Sequence, residues 1–322
     1  MNAIQFDTLG GPEVLRPAEV AKPEVRAGMV LIKVRAAGVN FADTLFTRGQ
    51  YAIIPRLPDV PGMEAAGDIE AVGEGVEELK PGMRVAAIAL RCYAEYCLAR
   101  PNLTIPLPDS LGYEEGAAFP IQTLTAYHLL HTAHRTAAGD TVLVHAAAGG
   151  VGSLATQIAK AAGARVIGTV SSSAKAALVR ELGADEVIDY RAQDFAAEVM
   201  RLTGGRGVDL ILDAVGKPTF GPGLSCLAPF GQLILYGRAG GTPDPVSPPS
   251  LFAKSLTVSA FSLPVVYNFP DLMARGIVDS LRLLQERKVR LVIGKTIPLT
   301  QAAEAHRLLL SRASTGKLVL KV

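Results

Sequence analysis

The stretch Asp140–Val170, DTVLVHAAAGGVGSLATQIAKAAGARVIGTV, decides the fold. An apolar run enters a turn of small residues, a helix-forming segment follows, and a second apolar run closes the unit. Strand, turn, helix and strand in that order make the βαβ unit that holds a dinucleotide. Ala147, Gly149 and Gly152 occupy the three small-residue positions of its fingerprint, with Ala in place of the first Gly. Small residues let the backbone approach a pyrophosphate, and the helix N-terminus offers free N–H groups and the positive end of its dipole.

The second strand selects the cofactor. An acid about 20 residues beyond the glycines would accept from a ribose 2′-hydroxyl. This chain reads Thr169-Val170-Ser171-Ser172-Ser173-Ala174-Lys175 there, with no acid. Hydroxyls and a lysine suit the 2′-phosphate that a carboxylate would repel. Tyr190 and Arg191 close the next strand, EVIDYR, at the same sheet edge in a doubly wound order. The alternative is a serine-rich turn with a solvated lysine. The reading taken is NADPH.

The 322 residues leave room for two domains with sizeable cores. Net charge is +2 with both signs interspersed, so no basic stripe announces nucleic acid and none is expected as a partner. No apolar run approaches the roughly 20 residues of a membrane span, and MNAIQFDTLGG lacks a signal-peptide layout. Cys92, Cys97 and Cys226 make neither a disulfide framework nor a zinc cage. The expectation is a soluble cytoplasmic protein.

Up to about Ser110, short apolar runs (IQF, VLIKVRAAGV, GMEAAGDIEAVG, RVAAIAL, YAEYCLA) alternate with Gly and Pro turns, the pattern of a small irregular barrel. Helical segments follow from near Tyr113. From Thr141, six strand candidates (VLVHAA, VIGTV, EVIDY, VDLILDAVG, QLILYG, LTVSAF) alternate with helices, the count of a complete dinucleotide-binding sheet. After Phe261 come a helix, a strand around Leu291 to Ile293, a second helix and a final strand, a tail expected to rejoin the first domain. The fold class is α/β, a barrel plus a doubly wound parallel sheet.

Five segments in order resemble the zinc-independent, ζ-crystallin-like quinone oxidoreductases of the medium-chain dehydrogenase/reductase superfamily. They are GGPEVL (Gly10–Leu15), AGVNFADT (Ala37–Thr44), HAAAGGVG (His145–Gly152), IDYR (Ile188–Arg191) and TGKLVL (Thr315–Leu320). The resemblance implies a GroES-like barrel as the catalytic domain and a Rossmann domain inserted within it. Residues 1–124 and 265–322 are assigned to the first and residues 125–264 to the second. It also implies NADPH oxidation and a dimer or tetramer, of which a homodimer is the expectation.

Related alcohol dehydrogenases hold a catalytic zinc through Cys, His and a third ligand. Here the first two positions resemble Asn40 and Met63, and FPIQTLTAY, where the third would lie, has no Cys, His, Asp or Glu. Neither Asn nor Met suits zinc at such a site. The four-cysteine structural loop is missing as well, and Glu64 alone cannot hold the ion. No metal is expected. Without a Lewis acid the acceptor must already be electrophilic, which selects quinones and α,β-unsaturated carbonyls.

By the same resemblance Asn40, Asp43 and Thr125 line the nicotinamide end. Asn40 donates there to the nicotinamide carboxamide or to substrate oxygen, or it is a turn-forming residue after a strand. Tyr51 is the candidate proton donor, against an aromatic packed at a loop base. The family often has a second tyrosine where this chain has Leu45. Gly150 and Val151 are carried over to the pyrophosphate, and Ser171, Lys175 and Tyr190 to the 2′-phosphate. Val215 and Gly237 are placed at strand ends facing the cofactor, and Phe261 near the nicotinamide. Arg312 is a cofactor-contacting arginine or a helix C-terminal cation.

His128, His131 and His134 are read as a half-exposed helix face rather than a metal site, and His145 as a strand-end histidine touching backbone. Two other functions stay open: an enoyl-thioester reductase of the same superfamily, and a non-catalytic NADPH-binding structural or RNA-associated protein. The apolar strand Leu256 to Phe261 is the expected place for edge pairing across a dimer.

Overall fold

Period-two burial builds the first strands. In the computed structural model, which describes residues 1–322, Asn2–Gln5 (β1) and Arg16–Glu19 (β2) form an antiparallel hairpin. Val30–Val39 (β3) buries Val30, Ile32 and Val34 in an apolar core, while Lys33 and Arg35 between them are less covered. Phe41–Thr47 (α1) leads to Glu64–Val72 (β4), Arg84–Ala89 (β5) and Tyr96–Pro106 (β6), each antiparallel to its neighbour. β6 also pairs with β3, closing these four strands on one another as a barrel does. Tyr113–Ala118 (α2) and Pro120–His128 (α3) follow.

The second unit alternates Thr141–Val144 (β7), Gly150–Ala161 (α4), Arg165–Val170 (β8), Ser173–Glu181 (α5), Glu186–Asp189 (β9), Phe195–Leu202 (α6), Val208–Asp213 (β10), Lys217–Ser225 (α7), Leu227–Leu235 (β11) and Thr257–Ala260 (β12). The order β12-β11-β10-β7-β8-β9 is parallel throughout. It is the six-stranded doubly wound sheet expected, with its direction of winding reversing between β7 and β10. All four residues of β7 are buried, as helices covering both faces of a parallel sheet require.

The chain then returns. Ile293–Pro298 (β13) pairs parallel with Lys317–Lys321 (β14), and β14 lies antiparallel to β3, extending the first sheet. β13 begins where the sequence reading of Leu291 to Ile293 ends, because Thr296 and Ile297 pair directly with Val319 and Leu320. The two compact units are residues 1–121 with 291–322, and residues 122–290. Residues 265–290 therefore fall in the second unit, whereas the sequence reading gave them to the first. Polar bonds hold them there: Tyr127 donates to Asp279 at 2.6 Å, and Gln157 Oε1 accepts from Arg290 N at 2.8 Å. No helix is long and apolar enough to cross a membrane.

Candidate active site

The turn after β7 is built for a close approach. Ala147 N donates to Thr169 O at 3.1 Å, and Gly149 N donates to Ala146 O at 2.9 Å. A Cβ on Gly152 would lie 2.3 Å from Ala146 O, and one on Gly150 would lie 2.0 Å from the Gln122 side chain. A Cβ on Gly149 would approach only Ala146 O, at 3.2 Å, so this residue borders open space. α4 starts with Gly149 as its N-cap and no side-chain capping bond. Its first N–H groups, around Gly150, Val151 and Gly152, have the aim and the dipole that an anionic group needs. Ala147 is fully buried beneath them.

The other predicted residues of this unit follow the carboxyl ends of successive strands. Ser171 follows β8 and is buried, and Ser172 Oγ caps α5 by accepting from Lys175 N at 3.4 Å. Tyr190 follows β9 and is exposed. Burial, and then the neighbouring charge of Arg191, lowers the Lys175 pKa. Val215, Gly237 and Phe261 follow β10, β11 and β12. Thr125 is buried on α3.

Sequence reasoning missed Asp213. It ends β10 fully buried and accepts from Val215 N at 2.7 Å, Gly216 N at 3.0 Å and the Thr219 hydroxyl at 2.9 Å. The loop after β11 is tied to this one by Ala239 N to Ala214 O at 3.1 Å and Gly240 N to Val215 O at 2.7 Å. The only sequence signal was an acid closing an apolar strand.

In the first unit Asn40 leaves β3 and is the N-cap of α1. Its N–H donates to Asp43 Oδ2 at 2.7 Å, and Asp43 is fully buried. The Asn40 side chain, 5% exposed, donates from Nδ2 to Glu64 Oε1 at 2.8 Å and accepts at Oδ1 from Lys317 Nζ at 2.8 Å. Lys317 also pairs with Glu64, and the two are 1% and 0% exposed. Glu64 Oε2 accepts from Ile121 N at 2.8 Å. Lys317 reaches across from β14 and Glu64 sits on β4, so they meet over β3, between them, where Gly38 leaves the space. A Cβ on Gly38 would lie 2.7 Å from both Glu64 Oε1 and Lys317 Cε.

Asp43 Oδ2 also accepts from the Tyr93 hydroxyl at 3.1 Å, and that hydroxyl lies 3.2 Å from His306 Nε2. Asp43 Oδ1 has no hydrogen-bond partner. Burial is the main cause that lifts the Asp43 pKa to about 7, against the lowering effect of the Asn40 N–H, Lys317 and Tyr93. Tyr51 is partly buried against the barrel core; burial, and then the Asp43 charge, raises its pKa. The structure thus brings Asn40 and Asp43 together, with Tyr51 in electrostatic reach of Asp43. Arg312 follows the helix Ala302–Leu310, its N–H on Leu309 O at 3.2 Å and its φ at +58°.

The histidines go separate ways. His128 is fully buried rather than half-exposed, its Nδ1 2.9 Å from Thr132 Oγ1. His131 packs against Tyr127 with ring centroids 4.7 Å apart and the rings tilted by 48°, and His134 meets Gln232 at 2.9 Å. A π-helical stretch, Leu129–His134, alters the spacing that would have aligned them. His145 Nδ1 meets Thr169 Oγ1 at 3.0 Å, a side chain rather than backbone, and burial pushes its pKa down to about 4. All three cysteines are buried and unpaired. No three His, Cys, Asp or Glu side chains converge as metal donors, and of the two carboxylates that touch Asn40, Glu64 is bonded to Lys317 and Asp43 to the Asn40 backbone.

The sequence matches the alcohol dehydrogenase GroES-like domain over residues 26–135 and the zinc-binding dehydrogenase family over residues 150–277. It is 39% identical to a quinone oxidoreductase of Pseudomonas aeruginosa over 98% of both chains. It is 35% identical to a 2-haloacrylate reductase of a Burkholderia species over 97% of this chain and 96% of that one. The structure of Escherichia coli quinone oxidoreductase complexed with NADPH superposes with a TM-score of 0.95 at 33% identity, covering 100% of both chains.

Proposed function

The chain belongs to the quinone oxidoreductase family of the medium-chain dehydrogenase/reductase superfamily, and from that premise we propose that it is an NADPH-dependent, zinc-independent reductase of quinones and α,β-unsaturated carbonyls. The observation that carries the cofactor is the uncapped, glycine-lined start of α4, with Lys175 in the first turn of α5 and Arg191 just after β9. Gly149, Gly150, Val151 and Gly152 hold the pyrophosphate with backbone N–H groups, and Ala147 keeps the turn close. Ser171, Lys175 and Tyr190 hold the 2′-phosphate. Thr125, Val215, Gly237 and Phe261 border the rest of the cofactor, and Arg312 contributes from the C-terminal tail. When bound, NADPH supplies the hydride.

The protein's own part is donation and positioning. Asn40 donates an N–H to the oxygen that gains charge, as an oxyanion donor does. The Tyr51 phenol, its pKa raised, keeps its proton at neutral pH and transfers it to the reduced acceptor. Asp43 holds the Asn40 backbone in register. Leu45 makes this end more apolar than in relatives with tyrosine there. The relationship to a 2-haloacrylate reductase supports including conjugated carbonyl acceptors beside quinones. The absence of a converging donor set supports zinc independence.

The enzyme works in the cytoplasm, consistent with three unpaired buried cysteines, and as a homodimer joined along β12. That strand ends the second sheet with one edge unpaired, and Phe230 and Phe252 beside it are 80% and 77% exposed. The test of the cofactor reading is a titration of NADPH and NADH against the wild type and K175A/R191A. The double variant should weaken NADPH about tenfold to a hundredfold and leave NADH within about threefold. Equal losses for both cofactors would overturn it.

A further inference from the structure

Lys317 takes no part in the reading above, yet its ammonium is sealed between Asn40 and Glu64. We propose that Lys317, with Glu64, is a positioning residue that locks the Asn40 carboxamide so that its N–H, and not its carbonyl oxygen, faces the reacting oxygen. This rests on the assignment of Asn40 to the nicotinamide end.

The chemistry of the two partners fixes the amide. An ammonium can only donate, so the Asn40 atom 2.8 Å from Lys317 Nζ is Oδ1. A carboxylate can only accept, so the atom 2.8 Å from Glu64 Oε1 is Nδ2. A flipped amide would set N–H against ammonium and carbonyl against carboxylate, two repulsive contacts in a buried place. Nδ2 carries two hydrogens and spends one on Glu64, which leaves the other with a fixed direction. The ammonium also draws electron density through Oδ1, and this strengthens the remaining N–H as a donor.

The frame around the amide is equally constrained. Glu64 is held by Ile121 N and the Asn40 backbone by Asp43. Gly38 clears the path of the Lys317 stem, where a side chain would collide with both partners. The three residues come from β14, β4 and the end of β3, so the sheet register itself sets the triangle.

The test compares full-length wild type with K317M and K317M/E64Q. K317M leaves a buried carboxylate unpaired and can fail to fold; the double variant removes both charges together and keeps the volume. Two readouts are taken: steady-state kinetics with NADPH and a quinone, and the side-chain amide NMR signals of Asn40 in the cofactor-free protein, assigned through N40D. The double variant should lose about tenfold or more in kcat, with KM for NADPH within about threefold. Its Asn40 amide signals should move and exchange faster with solvent.

Full kcat in the double variant, or unmoved Asn40 signals, would overturn the proposal. So would a KM for NADPH that rises in step with the fall in kcat, since that pattern marks a structural ion pair alone. If the wild type reduces no acceptor, the proposed function fails, and the Asn40 signals then decide the locking by themselves.

Discussion

At the scale of single residues, Lys317 and Glu64 set the terms. Taking each ion out of water costs several kcal/mol, and apolar replacement of such pairs is often neutral or stabilising. Their value therefore lies in what they orient. Gly38→Ala should lower stability by about 1–3 kcal/mol through overpacking, seen as an earlier urea midpoint. An unchanged midpoint would mean that neither the pair nor Ala117 O, 2.4 Å from the added methyl, is packed over Gly38. Asp43 gives a second handle. Its carboxyl keeps its proton up to about pH 7 when folded, against the ordinary aspartate value of 3.8. Between those values the folded chain binds a proton that the unfolded chain has lost, so through this group stability falls as pH rises to about 7 and is level above. The groups bearing on it are Lys317, Glu64, Tyr93, Tyr51 and Cys92. Asp43→Asn keeps the acceptor for the Asn40 N–H and removes the titration. Its unfolding free energy relative to wild type should rise across that window and then flatten; a flat difference throughout would contradict the assignment. Neither feature was legible in the sequence. Lys317 sits in TGKLVL, where alternation marks a strand but not its partners, and Glu64 lies 253 positions away.

At the scale of elements, the turn before α4 was readable because its determinants are local. A strand, three small residues and a helix start lie within a few residues, and Gly150 and Gly152 are each explained by an atom their Cβ would strike, while Gly149 borders open space. Gly152→Ala places a methyl 2.3 Å from Ala146 O in a fold that otherwise stands. It should weaken NADPH binding by about tenfold or more, by shifting the backbone donors, while the thermal midpoint drops only modestly. Unchanged NADPH affinity would show that the donors at this turn do not hold the phosphates. The strand-end positions Val215 and Gly237 were also foreseeable, but Asp213 was not. Its role depends on folding back to bond Val215, Gly216 and Thr219, which no periodicity signals. The three-residue spacing of His128, His131 and His134 suggested one face, and the π-helical stretch dispersed them.

At the scale of the whole molecule, the six strands and the doubly wound parallel sheet followed from the alternation of apolar runs and helices. The division between units did not follow as fully. The helix Pro270–Gln285 has no sequence mark that says which core it joins, and Asp279 bonding Tyr127 decides it. Association is the property still carried by surface residues. On the proposed homodimer, the wild type should sediment as a dimer and F230D/F252D as a monomer, with unchanged secondary structure. A variant that stays dimeric would move the interface away from β12. A reductase that needs NADPH and no metal is tested by the loss of NADPH absorbance with quinones and enones, each with and without a strong chelator, and with NADH in parallel. Turnover that prefers NADPH and is unaffected by the chelator is the predicted result. Turnover that chelation abolishes and zinc restores, or no turnover of any acceptor despite NADPH binding, would contradict it.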